Sequence, residues 1–127
     1  MYDTVTCKWS NFKLSAPHAY GVAVGWNGKS FLAGGFDSND RSLSVTAAVD
    51  IYDVTTKLWS TANLSVPRSS PAAAAAGNKI LFVGGRGDDE FTSAVDIYDV
   101  GAAIGNQVLF TLSPGNLMDS LEIYQLQ

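Results

Sequence analysis

The sequence repeats itself. No other feature limits the fold as strongly, because self-similarity at a fixed period means a fold assembled from stacked copies of one unit. Residues 2–36 align with residues 52–86 at an offset of 50, with 12 of the 35 positions identical. Beyond the second glycine pair the offset falls to 46. There Val49-Asp50-Ile51-Tyr52-Asp53-Val54 recurs letter for letter as Val95-Asp96-Ile97-Tyr98-Asp99-Val100. The second copy has therefore lost four residues (50 − 46) in one place, with identity on both sides. A length change so confined marks a surface loop.

Each copy reads as short antiparallel strands. Tyr20–Trp26 is a strand ended by the hairpin signal Asn27-Gly28, and Ser30–Ala33 returns to the pair Gly34-Gly35. Ala48–Tyr52 alternates as a third strand, with Val49, Ile51 and then Asp53 on one face, and Leu58-Trp59-Ser60 opens a fourth. Ala72–Ala76 has the strongest helix propensity in the chain. Five residues make a marginal helix, and the repeat aligns them with Tyr20–Trp26. They are expected to form a strand whose small side chains suit a crowded centre. Four strands in about 46–50 residues match the period of a β-propeller blade.

Composition agrees with a folded β chain. Of 127 residues, 46% are hydrophobic and 16% charged, which excludes general disorder. Eight basic residues against 12 acidic, with no Lys/Arg cluster, argue against a nucleic-acid partner. No apolar stretch of about 18 residues exists, so no membrane-spanning helix is expected. The single cysteine, Cys7, rules out an intrachain disulfide and favours a reducing, cytoplasmic compartment.

The glycine pair, the third-strand tyrosine and the fourth-strand tryptophan resemble the kelch repeat. They are Gly34-Gly35, Tyr52 and Trp59 in one copy, and Gly84-Gly85 and Tyr98 in the next. Pro67-Arg68 also resembles the family pattern and becomes Pro17-His18 in the earlier copy. The resemblance implies an all-β, incomplete kelch-type β-propeller of four-stranded antiparallel blades, an open ring rather than a closed one. Residues 1–17 then hold the fourth strand of a preceding blade, 18–67 one blade, and 68–100 a second blade without a clear Trp strand. Residues 101–127 form a degenerate repeat or cap, with Val108–Leu112 as a second strand and Leu121–Gln125 as a third. Propellers close with four or more blades, so this chain is expected to be a fragment, a decayed copy or one part of an assembly. Self-association through its uncovered faces is expected.

Other motifs fall to simpler readings. Gly28-Lys29-Ser30 ends like a phosphate-binding loop, but Ala23 stands where the earlier glycine belongs. Lys29 is expected to be a solvated hairpin residue. Asp88-Asp89-Glu90 lacks the alternating ligands of a calcium loop. His18 and Cys7 are placed in separate strands with no third group to orient a nucleophile pair. Asp50, Asp53, Asp96 and Asp99 recur, which assigns them to turn or strand-edge hydrogen bonding rather than a catalytic pair. Asn63-Leu64-Ser65 is a chance sequon.

The resemblance also implies that the loops after the glycine pair share one face with those entering each first strand, and that this face receives a partner peptide. The candidate partner-binding residues on those loops are His18, Asp37, Asn39, Asp40, Arg41, Arg68, Arg86, Asp88, Asp89 and Glu90. The function expected is therefore a non-catalytic scaffold for another protein or peptide, with no cofactor. Two alternatives stand beside it. A galactose-oxidase-like kelch enzyme needs two histidine copper ligands, and His18 is the only histidine. A carbohydrate-binding module needs exposed loop aromatics, for which Phe36 and Phe91 are the candidates.

Overall fold

The computed structural model describes residues 1–37 and 44–100, and the backbone of strands at 107–112 and 121–126. Every regular element among them is a β-strand. In chain order these are β1 (Tyr2–Asp3), β2 (Lys8–Trp9), β3 (Val22–Trp26), β4 (Lys29–Ala33), β5 (Ala48–Asp53), β6 (Leu58–Asn63), β7 (Ala72–Ala76), β8 (Lys79–Val83), β9 (Val95–Asp99), β10 (Gln107–Leu112) and β11 (Leu121–Leu126). They form three antiparallel sheets with the orders β1-β2, β3-β4-β5-β6 and β7-β8-β9-β10-β11, none of which closes on itself.

The turns carry the repeat at atomic level. Asn27 and Gly28 both have positive φ, 47° and 72°, as the tightest hairpins require. Asp3 Oδ1 accepts hydrogen bonds from the Val5 and Thr6 amides at 2.8 and 3.1 Å. Asp53 Oδ1 does the same for Thr55 and Thr56 at 2.8 and 3.2 Å. Cys7 and Lys57 close these turns at φ 56° and 59°. Cys7 thus lies in an exposed turn rather than a strand. Hydrogen bonds from Thr6 and then Val5 hold the Asp3 carboxyl below the usual carboxylate range. For Asp53 the Lys29 ammonium is the leading cause. Lys29 is therefore paired rather than simply solvated, its Nζ 2.6 Å from Asp53 Oδ2, and Lys79 repeats the bond to Asp99 at 2.8 Å.

The core lies between the second and third sheets. Phe31, Ala33, Val49 and Ile51 of one sheet meet Ile80, Phe82 and Tyr98 of the next, and the Phe31 and Tyr98 rings make an edge contact with centroids 5.0 Å apart. Edge strands β3 and β7 lie side by side. The alanine run is the expected strand, but the expected crowding is absent: Ala73 is half-buried and the other four alanines are exposed. Pairing with Lys79–Val83 is what makes five alanines extended, overriding their helix propensity.

The C-terminal strands correct the sequence reading. Val108–Leu112 was expected as the second strand of a decayed repeat; it belongs to β10, which pairs directly with β9 and places Leu109 opposite Tyr98. Trp59 occupies that position opposite Tyr52. The third sheet thus has its fourth strand, with leucine in place of tryptophan. β11 extends the same sheet as a fifth strand rather than beginning another.

Tyr98 is 1% exposed and its hydroxyl has no hydrogen-bond partner among the described residues. Burial pushes its pKa up from 10.0 to about 12. The unfolded chain releases this proton near pH 10 while the folded chain retains it. Stability is therefore full below pH 10 and declines as pH rises toward 12. A loss of about 1–2 kcal/mol is expected across that window. Urea titrations of the parent and Tyr98→Phe check it, since the variant should lack this part of the decline.

Candidate functional site

Each glycine pair turns the chain out of its second strand with both φ angles positive: Gly34 66° and Gly35 104°, Gly84 64° and Gly85 107°. The next residue then bridges two loops. Phe36 pairs with Ala19 and Val45, and Arg86 pairs with Ser69 and Phe91. The loops after the glycine pairs therefore lie against the loops entering the first strands.

Two expected surface residues are in fact interior. Arg68 is 0% exposed. Its Nη2 donates to Asp96 Oδ2 at 2.8 Å and to the Phe82 carbonyl at 3.2 Å. Asp96, itself 0% exposed, also accepts from the Ser65 amide at 3.1 Å. The earlier copy builds the same linkage with a shorter side chain. His18 Nε2 lies 2.9 Å from Asp50 Oδ2 and Nδ1 2.7 Å from the Gly34 carbonyl, while the Ser15 amide donates to Asp50 Oδ2 at 3.1 Å. Both ring nitrogens thus face oxygen atoms of the protein. His18 and Arg68 are clasps between an incoming loop and the third strand, which removes them from the partner-binding set. Asp50 and Asp96 are correspondingly buried hydrogen-bond partners within β5 and β9.

Sequence reasoning missed these pairs, although the repeat held the signal. Each copy carries one side chain with ring or guanidinium nitrogens, at 18 or 68, and one aspartate between two apolar residues, at 50 or 96. Alternation along the strand puts the aspartate on the opposite face from Val49 and Ile51, beside Tyr52.

The other motif residues pack as expected. Tyr52 is buried and Trp59 half-buried, with ring centroids 4.9 Å apart, and Phe12 lies against both at 5.7 and 6.0 Å. The remaining loop residues divide. Asn39, Asp40 and Arg41 lie outside the described residues. Asp37 is half-buried, its amide bonded to the Ser44 carbonyl. Arg86, Asp88, Asp89 and Glu90 are exposed. Asp88 to Glu90 line a cleft of about 470 Å³ with Val66, Pro67, Gly87, Phe91 and Thr92. Asp88 Oδ1 also accepts from the Val45 amide at 3.1 Å, which ties this loop to the one before it. Phe91 stands 83% exposed at the cleft. Three carboxylates beside an open aromatic face suit a cationic side chain, which takes both charge pairing and ring contact. Among the described residues no three His, Cys, Asp or Glu side chains are grouped to hold a metal ion.

No family model matches the sequence, and no curated protein does. The arrangement of strands is a recurrent one, shared with 92 solved chains. One of them, described as "Structure of YjhT", has a TM-score of 0.66 and 19% identity, with 89% of this chain and 42% of that chain covered. This chain thus spans less than half the length of that structure, and the likeness is one of fold.

Proposed function

We propose that the chain is a partial kelch-type β-propeller that serves as a non-catalytic scaffold, binding a protein or peptide partner at its loop end. The observation that carries this reading is the cleft between Val66-Pro67 and Gly87–Thr92, with its exposed carboxylates and the open ring of Phe91. The two glycine pairs, the repeated turns and the four-strand order of the second sheet support the kelch-type assignment. Function gathered on loops above a rigid sheet scaffold is the general pattern. The partner expected is a segment carrying Lys or Arg beside an apolar residue.

Selection from a displayed random-peptide library tests this. Enriched peptides should be basic, and their affinity should fall about tenfold when Asp89→Lys and Glu90→Lys are combined, a change of about 1.4 kcal/mol. Added salt should weaken binding as well. Failure to enrich any peptide, or binding indifferent to the charge reversal, overturns the reading. An exposed Phe91 also suits stacking on a sugar ring, so a glycan array is the second arm. Hits lost on Phe91→Ala would favour the carbohydrate-binding alternative instead.

A further inference from the structure

The first and third sheets present complementary faces that the second and third already show joined. In the second sheet, cross-strand pairs Phe31–Ile51 and Ala33–Val49 make one apolar face. All four residues are fully buried, because the third sheet lies on them with Tyr98 against Phe31. The equivalent positions in the third sheet are Leu81, Ile97, Val83 and Val95, paired in the same register as Leu81–Ile97 and Val83–Val95. This copy of the face is more open: Val83 is 40% exposed and the other three are half-buried, and among the described residues no further sheet lies on them.

The first sheet carries the matching part. Tyr2 occupies the repeat position of Tyr52 and Tyr98, and Trp9 that of Trp59. The Tyr2 and Trp9 rings sit 5.0 Å apart, against 4.9 Å for Tyr52 and Trp59, so the pair is already formed. What differs is the cover. Tyr52 is 5% exposed beneath Phe12, whereas Tyr2 and Trp9 are 44% and 77% exposed. An aromatic pair so exposed, with a half-open apolar face of matching register on the third sheet, marks an interaction surface.

We propose that the Leu81–Val83–Val95–Ile97 face of one copy takes the Tyr2–Trp9 pair of a second copy, joining chains head to tail. The contact reproduces between chains the junction that Phe31 and Tyr98 make within one. The two faces differ, so the association is heterologous: it extends into rings or open chains rather than stopping at a symmetric dimer. It is independent of the loop cleft and of what binds there.

Sedimentation velocity on the full chain over a dilution series tests this. The chain is expected to associate reversibly beyond the dimer. Ile97→Lys and Trp9→Ser should each weaken association at least about tenfold, or about 1.4 kcal/mol. Mixed one to one, the two variants should form a dimer that grows no further, because only one intact face of each kind remains. Circular dichroism confirms that each variant is folded. Val83→Lys, at a more exposed position, replaces Ile97→Lys if that variant unfolds. A monomer at every concentration overturns the proposal. So does association unmoved by these substitutions, or a mixture of variants that stays monomeric.

Discussion

Arg68→Met is expected to remove about 3–5 kcal/mol of stability, the cost of stranding a buried carboxylate without its cation. Methionine keeps much of the stem volume, so the loss isolates the charge rather than a cavity. Asp96 lies wholly inside, so water cannot replace the guanidinium. Small domains are stable by roughly 5–15 kcal/mol, so this single change consumes a large share. It should lower the thermal midpoint by roughly 10–20 °C. The double variant Arg68→Met/Asp96→Leu should recover most of the loss, because a buried ion pair exchanged for apolar side chains is close to neutral. It should remain about 1 kcal/mol short, since the Ser65 amide loses its acceptor. Thermal and urea unfolding of the single and double variants decide it. A single variant within 1 kcal/mol of the parent would refute the clasp role.

The same pair shows where the sequence was legible and where it was not. Strands, hairpins and glycine turns are local, and their signals are local: Asn27-Gly28, the alternation of Ala48–Tyr52 and the repeated Asp turns all led to the elements that form. The alanine run was legible only through the repeat, because its own propensity points to a helix. The clasps were harder. Arg68 and Asp96 are 28 residues apart, and a cation beside a proline in a loop has the composition of a solvated residue. Only stacking of one sheet on the next puts it indoors. The C-terminal strands were misassigned for a related reason. Leu109 replaces the expected tryptophan, so nothing local marked β10 as the fourth strand; pairing with β9 did. The acidic loop tip was legible as charge, but the cleft beneath it is built by Val66 and Pro67 from a different loop.

Gly35→Ala is expected to cost about 3–5 kcal/mol, from two sources that add. At φ 104° the backbone lies where a side chain is strained by about 1–3 kcal/mol. A Cβ there would also meet the Ala19 carbonyl oxygen at 2.6 Å and the Gly21 nitrogen at 2.9 Å. Both are backbone atoms, so no rotamer change relieves the overlap, and overpacking of this kind adds about 1–3 kcal/mol. The neighbours cannot retreat cheaply. The Gly35 amide donates to the Arg68 carbonyl at 2.8 Å, and its carbonyl accepts from the Thr46 amide at 2.8 Å, so three loops meet at this residue. Gly77 is the control. Its φ is 59°, but a Cβ there would have nothing within 4 Å, so Gly77→Ala should cost only about 1–2 kcal/mol. Gly85→Ala should match Gly35→Ala, with the Ser69 carbonyl at 2.6 Å from its Cβ. It should also disturb the peptide binding proposed above, because the Gly85 carbonyl accepts from the Thr92 amide at 3.0 Å, at the rim of the acidic cleft. Urea titrations of the three variants should rank Gly77→Ala well above the other two. Equal costs at Gly35 and Gly77 would show that backbone strain alone, and not the meeting of loops, requires glycine. A large cost at Gly35 with none to peptide binding, beside a loss of both at Gly85, would place the recognition surface on the second pair of loops.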